Sequence, residues 1–299
     1  MYDYSIAQWL LVFYIYCFLG WIFESIVVSV QQKRLVNRGF LRGPMLPIYG
    51  FGATIMLHVA LPLAGHPVQI YFAGLVVATA FEYVVGVLME AIFKVKYWDY
   101  SEHRFQFQGR ICLQSSLAWG ALSVLLSYVL HPPVEWLLEE YGTVPLVFTV
   151  AVLSVYFLTD VTASVKTALD FASLLKELDA MRANVDQMRE QFAAAAWEKR
   201  AELTAAAQEQ RDRLATAAEE GREKLAEAAG EYRERSTAAA ENARLQMYLA
   251  IQEAEDQITE KIKNMKRSRK WMVRGNPGLR SRQFDRTLRE VKDRLNRLK

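Results

Sequence analysis

Residues 68–93 read VQIYFAGLVVATAFEYVVGVLMEAIF, an apolar run whose only charges are Glu82 and Glu90. About 20 such residues cross the roughly 30 Å hydrocarbon core of a bilayer as a helix, so this segment is expected to span a membrane. Glu82, Gly86 and Glu90 stand four apart and share one face of that helix, where the glycine admits a close neighbour. Working outward, stretches at 5–30, 45–64, 111–130 and 144–165 are also long enough to cross, which makes about five spans. The first is expected to stay as a span rather than be cleaved as a signal peptide. Asp3 stands where such a peptide is basic, and the apolar run is too long.

Charge divides the chain in two. Of its 299 residues, the first 165 hold 8 Lys/Arg and 10 Asp/Glu, and the last 134 hold 28 and 23. The first part is too poor in charge for a water-facing surface and the second too rich for a membrane core. A single globular enzyme domain and a fully secreted protein are both excluded. Cys17 and Cys112 lie far apart in apolar runs, with no CxxC and no nearby histidine pair, so neither a disulfide framework nor a zinc site is expected. No other metal or cofactor is implied. The expected domains are a membrane part, 1–165, a helical rod, 166–265, and a basic tail, 266–299.

Orientation follows from the loops. All eight basic residues of the membrane part fall in two of them: Lys33, Arg34, Arg38 and Arg42, then Lys94, Lys96, Arg104 and Arg110. The fourth loop carries Glu135, Glu139 and Glu140 instead. The positive-inside rule then places the N-terminus outside and the C-terminal half in the cytoplasm.

Four carboxylates interrupt the spans: Glu24, Glu82, Glu90 and Asp160. Counted from the basic loops at 1.5 Å per residue, Glu90 and Asp160 are shallow, about 6 and 9 Å deep, and Glu24 and Glu82 lie about 13 and 18 Å deep. An unpaired charge at mid-bilayer costs at least ~2.5 kcal/mol. These groups are therefore expected to face the bundle interior, to be protonated, or to meet Arg38, Arg42 or Arg110. Two readings stand: a polar cavity for an ion, proton or anionic headgroup, and structural carboxylate to arginine ties. His58 is expected to be a packed polar residue.

Two loops carry distinctive motifs. Asn37 to Pro44 runs into Pro47-Ile48-Tyr49-Gly50-Phe51-Gly52, with glycine and proline dense enough to demand a tight non-helical approach to the second span. Trp98-Asp99-Tyr100-Ser101 precedes Phe105-Gln106-Phe107-Gln108-Gly109-Arg110-Ile111-Cys112-Leu113, whose alternation predicts a short strand or extended interfacial loop. With Gly20-Trp21, Glu24, Glu82, Glu90 and Trp119-Gly120, these motifs make residues 16–131 resemble the bacterial membrane family described as "Putative ABC-transporter type IV". One departure is that Gln106 and Gln108 stand where family members tend to carry asparagine. The resemblance implies a permease-like protein of the bacterial cytoplasmic membrane, and it extends to the terminal helix, to which it gives a docking role.

From residue 193 the sequence repeats every eleven residues: AAAAWEKRAEL, TAAAQEQRDRL, ATAAEEGREKL, AEAAGEYRERS and TAAAENARLQM, ending at 247. Eleven residues in three turns align the Ala-Ala pair and the final residue along one nearly straight stripe. Unbroken, the repeats would form a rod of about 82 Å. The small stripe suits homo-oligomerisation or a partner helix, as in a coiled coil; a lipid surface and a solvated single helix are the alternatives. Beyond it, Lys266, Arg267, Arg269, Lys270 and Trp271 form a basic patch, Gly275-Asn276-Pro277-Gly278 breaks the helix, and Phe284, Leu288, Val291, Leu295 and Leu298 mark a short amphipathic helix. Tethered to a bilayer, this patch has the anionic inner leaflet as a nearer partner than nucleic acid, with a protein partner as the alternative.

The sequence thus predicts an all-α, multi-pass membrane helix bundle with a long cytoplasmic helical C-terminal region. The first functional expectation is a transporter subunit of unknown substrate. The chain has no GxxxxGK[ST] phosphate loop, so ATP hydrolysis would come from a separate ATP-binding subunit. The second is a membrane-anchored scaffold acting through the rod. No catalytic constellation is visible, and an enzyme is not expected.

Overall fold

The computed structural model describes residues 4–216 and 219–297, with the side chains of many positions between 214 and 239 outside the described set. The chain is helical nearly throughout: α1 Ile6–Gln32, α2 Pro47–Ala60, α3 Pro67–Phe93, α4 Leu113–Leu125, α5 His131–Glu140, α6 Thr143–Thr216, α7 Glu219–Lys263, α8 Arg267–Gly275 and α9 Asp285–Arg297. Between α3 and α4 lies a two-stranded antiparallel hairpin, β1 Gln106–Phe107 with β2 Ile111–Cys112.

Among the described residues four segments are long and apolar enough to cross a membrane: Ile6–Gln32, Pro67–Phe93, Leu113–Glu140 and Thr143–Arg213. Pro47–Leu63, the second of the five expected spans, is a shorter apolar helix. Local chemistry sets the helix ends. Ser5 and Gln8 form a reciprocal capping box at the start of α1. Pro47 and Pro67 occupy first turns, where a missing N–H costs no hydrogen bond. Between α4 and α5 the chain takes one π-helical turn, Leu126–Leu130. Pro132 and Pro133 follow and cannot donate to the turn before them, which accounts for the shifted register there.

Two compact units result, one of Met1–Leu175 with Met265–Asp293 and the other of Lys176–Asn264 with Arg294–Lys299. In the first, Leu11, Val12, Phe13, Tyr14, Tyr16 and Cys17 of α1 pack with Met56 and Leu57 of α2, Leu138 of α5 and Leu146 and Val150 of α6. Small residues set the closeness of the helices: a side chain at Gly20 would strike the Tyr49 ring, and one at Gly120 would lie 2.9 Å from Tyr71.

In the second unit α7 runs back beside α6. Arg189 pairs with Glu255 and Lys261 with Glu177, so the lower rod is an antiparallel pair rather than one continuous helix. Along the repeats Trp197, Leu245 and Tyr248 are exposed, and Leu203 and Met247 are half-buried. Leu214, Arg222, Leu225, Arg233 and Ser236, which belong to the expected repeat pattern, lie outside the described side chains.

Candidate functional site

The carboxylates of the first unit fall into two groups. Asp160 of α6 accepts hydrogen bonds from the backbone N–H groups of Arg42 (3.2 Å) and Gly43 (2.8 Å) and from the Ser164 hydroxyl (3.3 Å). The Arg42 guanidinium turns to Thr167 and the Ala163 carbonyl instead. Asp160 thus holds the α1–α2 loop by its backbone. Asp160→Ala would orphan two N–H donors, each worth about 1–3 kcal/mol when buried unpaired. A lower unfolding temperature of the purified protein is the expected result, with Asp160→Asn falling in between.

Glu90 sits between two cations, accepting from Arg110 at 2.7 Å with Arg282 at 3.3 Å. Arg110 crosses Gly86, where an added Cβ would lie 3.4 Å from its Cδ, and covers the Tyr83 ring at 5.7 Å. In the adjoining loop Gly109 has φ +68°, and a side chain there would strike Asp99 and Ser101. Burial pushes the Asp99 carboxyl up, yet the Ser101 hydroxyl and the Lys96 and Arg280 cations outweigh it and hold it below the usual carboxylate range.

Glu24 and Glu82 are placed differently. Glu24 accepts from the Tyr49 hydroxyl at 2.9 Å and faces Arg38 Nε at 3.8 Å. Glu82 is 4% exposed and accepts three hydrogen bonds: Tyr100 Oη (3.1 Å), Ser115 Oγ (3.3 Å) and Trp119 Nε1 (2.9 Å). Burial, then the charge of Glu82, raises the Tyr100 phenol and keeps it a neutral donor. Both carboxylates and Arg38 line one cavity of about 470 Å³ whose walls include Tyr49, Tyr97, Trp98, Tyr100 and Trp119. That volume lies within the range of about 300–1,000 Å³ of small-molecule sites. A second cavity of about 350 Å³ shares Ile48, Tyr49, Phe81, Glu82 and Trp119 with the first, and the rest of its lining is mostly apolar, with Leu19, Phe23 and Leu122 among it.

The C-terminal segment closes one side of the larger cavity. Asn276 reaches its wall, donating to the Gly39 and Met272 carbonyls (3.1 and 2.9 Å) and accepting from Arg38 Nη1 at 2.7 Å. Arg38 Nη2 donates to the Tyr97 carbonyl at 3.0 Å. Lys96 and Arg280 exchange both backbone hydrogen bonds (2.7 and 3.1 Å), Ser281 Oγ donates to the Lys94 carbonyl, and Arg34 donates to that of Arg274. Of the basic patch, Arg269 pairs with Asp170 at 3.4 Å, Lys266 and Arg267 are exposed, and Lys270 and Trp271 are half-buried. Among the described residues no group of three or more His, Cys, Asp or Glu is placed to hold a metal ion.

Two histidines complete the picture. His58 stacks on Trp9 with centroids 4.2 Å apart. His131 is fully buried between the hydroxyls of Tyr4 (3.2 Å) and Tyr16 (3.1 Å). Sequence reasoning did not single out His131, and it met Tyr49, Tyr100, Trp119 and Asn276 only inside motifs, without a role. No spacing rule ties a tyrosine at 49 to a glutamate at 24.

Apolar helices of membrane-crossing length around buried carboxylates define a multi-pass membrane protein. The chain belongs to the family described as "Putative ABC-transporter type IV", whose sequence model matches residues 11–165. That match begins within α1, takes in α2 to α5 and the part of α6 that carries Asp160, and marks an ABC-transporter-related membrane protein. No curated protein and no solved structure matches the chain.

Proposed function

We propose that this protein is a permease-like transporter subunit that binds its substrate in the cavity shared by Glu24 and Glu82. The observation that carries this reading is the placing of two carboxylates from apolar helices against aromatic walls in one cavity of substrate size. Intramembrane ionisable groups facing a cavity mark substrate or ion pathways. Glu90 and Asp160 position loops around that cavity. The subunit catalyses no reaction of its own and takes its energy from a separate ATP-binding chain. It lies in the bacterial cytoplasmic membrane with the N-terminus outside and the basic loops, rod and tail in the cytoplasm, in the sense that the positive-inside rule gives. Of the tail, Lys266 and Arg267 face the anionic inner leaflet, and the alanine stripe pairs subunits.

Native mass measurement on full-length protein extracted gently from its own membrane tests this. A stoichiometric ATP-binding subunit is the expected companion. A bare homo-oligomer, or a companion lacking ATPase activity that is lost on deleting residues 193–247, would sink the transporter reading in favour of a scaffold.

A further inference from the structure

The cavity carries a sign and a shape, and together they select a chemistry. Among its lining residues Glu24 and Glu82 are acidic and Arg38 is the one base. Arg38 is held in place by Nη1 on Asn276 and Nη2 on the Tyr97 carbonyl, and its charge is paired with Glu24, 3.8 Å from Nε. That pairing offsets the one positive charge and leaves the Glu82 carboxylate as the unbalanced charge of the cavity. The three hydrogen bonds to Glu82 come from neutral donors, which satisfy its lone pairs and add no positive charge.

The walls point the same way. Tyr49, Tyr97, Trp98, Tyr100 and Trp119 line the space beside the two carboxylates. Aromatic rings attract a cation through their faces, by about 0.5–2 kcal/mol each. A hard metal ion takes six or more oxygens instead, and this lining supplies mostly rings and alkyl groups. The smaller cavity meets the larger one at Glu82, Tyr49 and Trp119 and offers almost only apolar surface beyond them. A ligand spanning both would place a positive centre beside Glu82 and Glu24 and an apolar body against Leu19, Phe23 and Leu122.

We infer that the site takes an amphipathic organic cation, a quaternary ammonium or phosphonium type of ligand with hydrophobic substituents. This inference rests on the cavity being the substrate site. A matched pair of probes separates the two claims: tetraphenylphosphonium and tetraphenylborate, equal in shape and opposite in charge. Full-length protein in nanodiscs of zwitterionic lipid is titrated with each while tryptophan fluorescence is followed, since Trp98 and Trp119 line the cavity.

The expected result is saturable quenching by the phosphonium alone. Glu82→Gln should weaken it by about tenfold or more, and the Glu24→Gln, Glu82→Gln double variant should abolish it. Val85→Phe, which fills the larger cavity without touching its charge, should also abolish it, and thermal unfolding confirms that each variant is folded. Saturable binding of the borate instead would overturn the cationic class and leave the cavity as a binding site. Saturable binding of neither ion would overturn the site itself, and the class with it. Phosphonium quenching unchanged in the double variant would place the binding outside the cavity and overturn the inference.

Discussion

Replacing Gly275 with valine is expected to free the C-terminal segment from the loops of the membrane unit. A Cβ at Gly275 would lie 2.7 Å from the Asn37 carbonyl oxygen, a backbone atom. Asn37 cannot easily yield, because its side chain accepts from Trp21 Nε1 at 2.6 Å and donates to the Arg42 carbonyl at 2.8 Å. Overpacking of this kind costs about 1–3 kcal/mol. The same movement would break the Lys96 to Arg280 backbone pair and lift Asn276 from Arg38 and Gly39. Limited trypsin digestion of the full chain reads the outcome, because Arg280 and Arg282 are the exposed bases of the docked segment 276–284. Cleavage there should quicken by about tenfold or more, in line with an opening equilibrium shifted by some 1.4 kcal/mol. Gly278→Val is the control, since its Cβ would meet only the Tyr97 carbonyl at 4.0 Å. Equal digestion rates in the two variants would show that Gly275 does not seat the segment.

This docking shows where sequence reasoning reaches its limit. Hydropathy marks the apolar helices because a bilayer demands length and composition, both of which a one-dimensional window measures. Alternation across Phe105 to Leu113 marks the hairpin β1 with β2, and Gly275 to Gly278 marks the end of α8. The destination of the tail has no such mark. Arg269, Arg280 and Arg282 look like any solvated or lipid-facing cations, yet they meet Asp170, Asp99 and Glu90. The bridge between Lys96 and Arg280 is made by main-chain atoms, which every residue owns. The folded-back rod is equally hidden, because Arg189 with Glu255 and Lys261 with Glu177 form no local repeat. Within the candidate site, depth counting separates Glu24 and Glu82 from the shallower carboxylates, but their neighbours Tyr49 and Trp119 come from other helices and obey no spacing.

Glu82 yields the prediction with the sharpest split between folding and function. Its three donors, Tyr100, Ser115 and Trp119, belong to a loop and to α4, so the carboxylate ties α3 to both. Leucine would leave the Tyr100 and Trp119 donors unpaired in a site that is 4% exposed, while Ser115 keeps the Cys112 carbonyl at 3.0 Å. At about 1–3 kcal/mol for each buried orphan, the loss is several kcal/mol, a large share of a typical folding stability of about 5–15 kcal/mol. Glu82→Leu is therefore expected to unfold at a much lower temperature or to fail to accumulate. Glutamine keeps the shape. Its amide oxygen can accept from Trp119 and Ser115 while its NH₂ donates to the Tyr100 hydroxyl oxygen, so the stability change should stay within about 1 kcal/mol. The negative charge, however, is gone in both variants. If Glu82 serves the bound substrate, Glu82→Gln should keep a near-native unfolding temperature in detergent and lose substrate-dependent activity in the native membrane. If Glu82 serves only the fold, Glu82→Gln should behave as wild type in both measurements, and Glu82→Leu alone should fail.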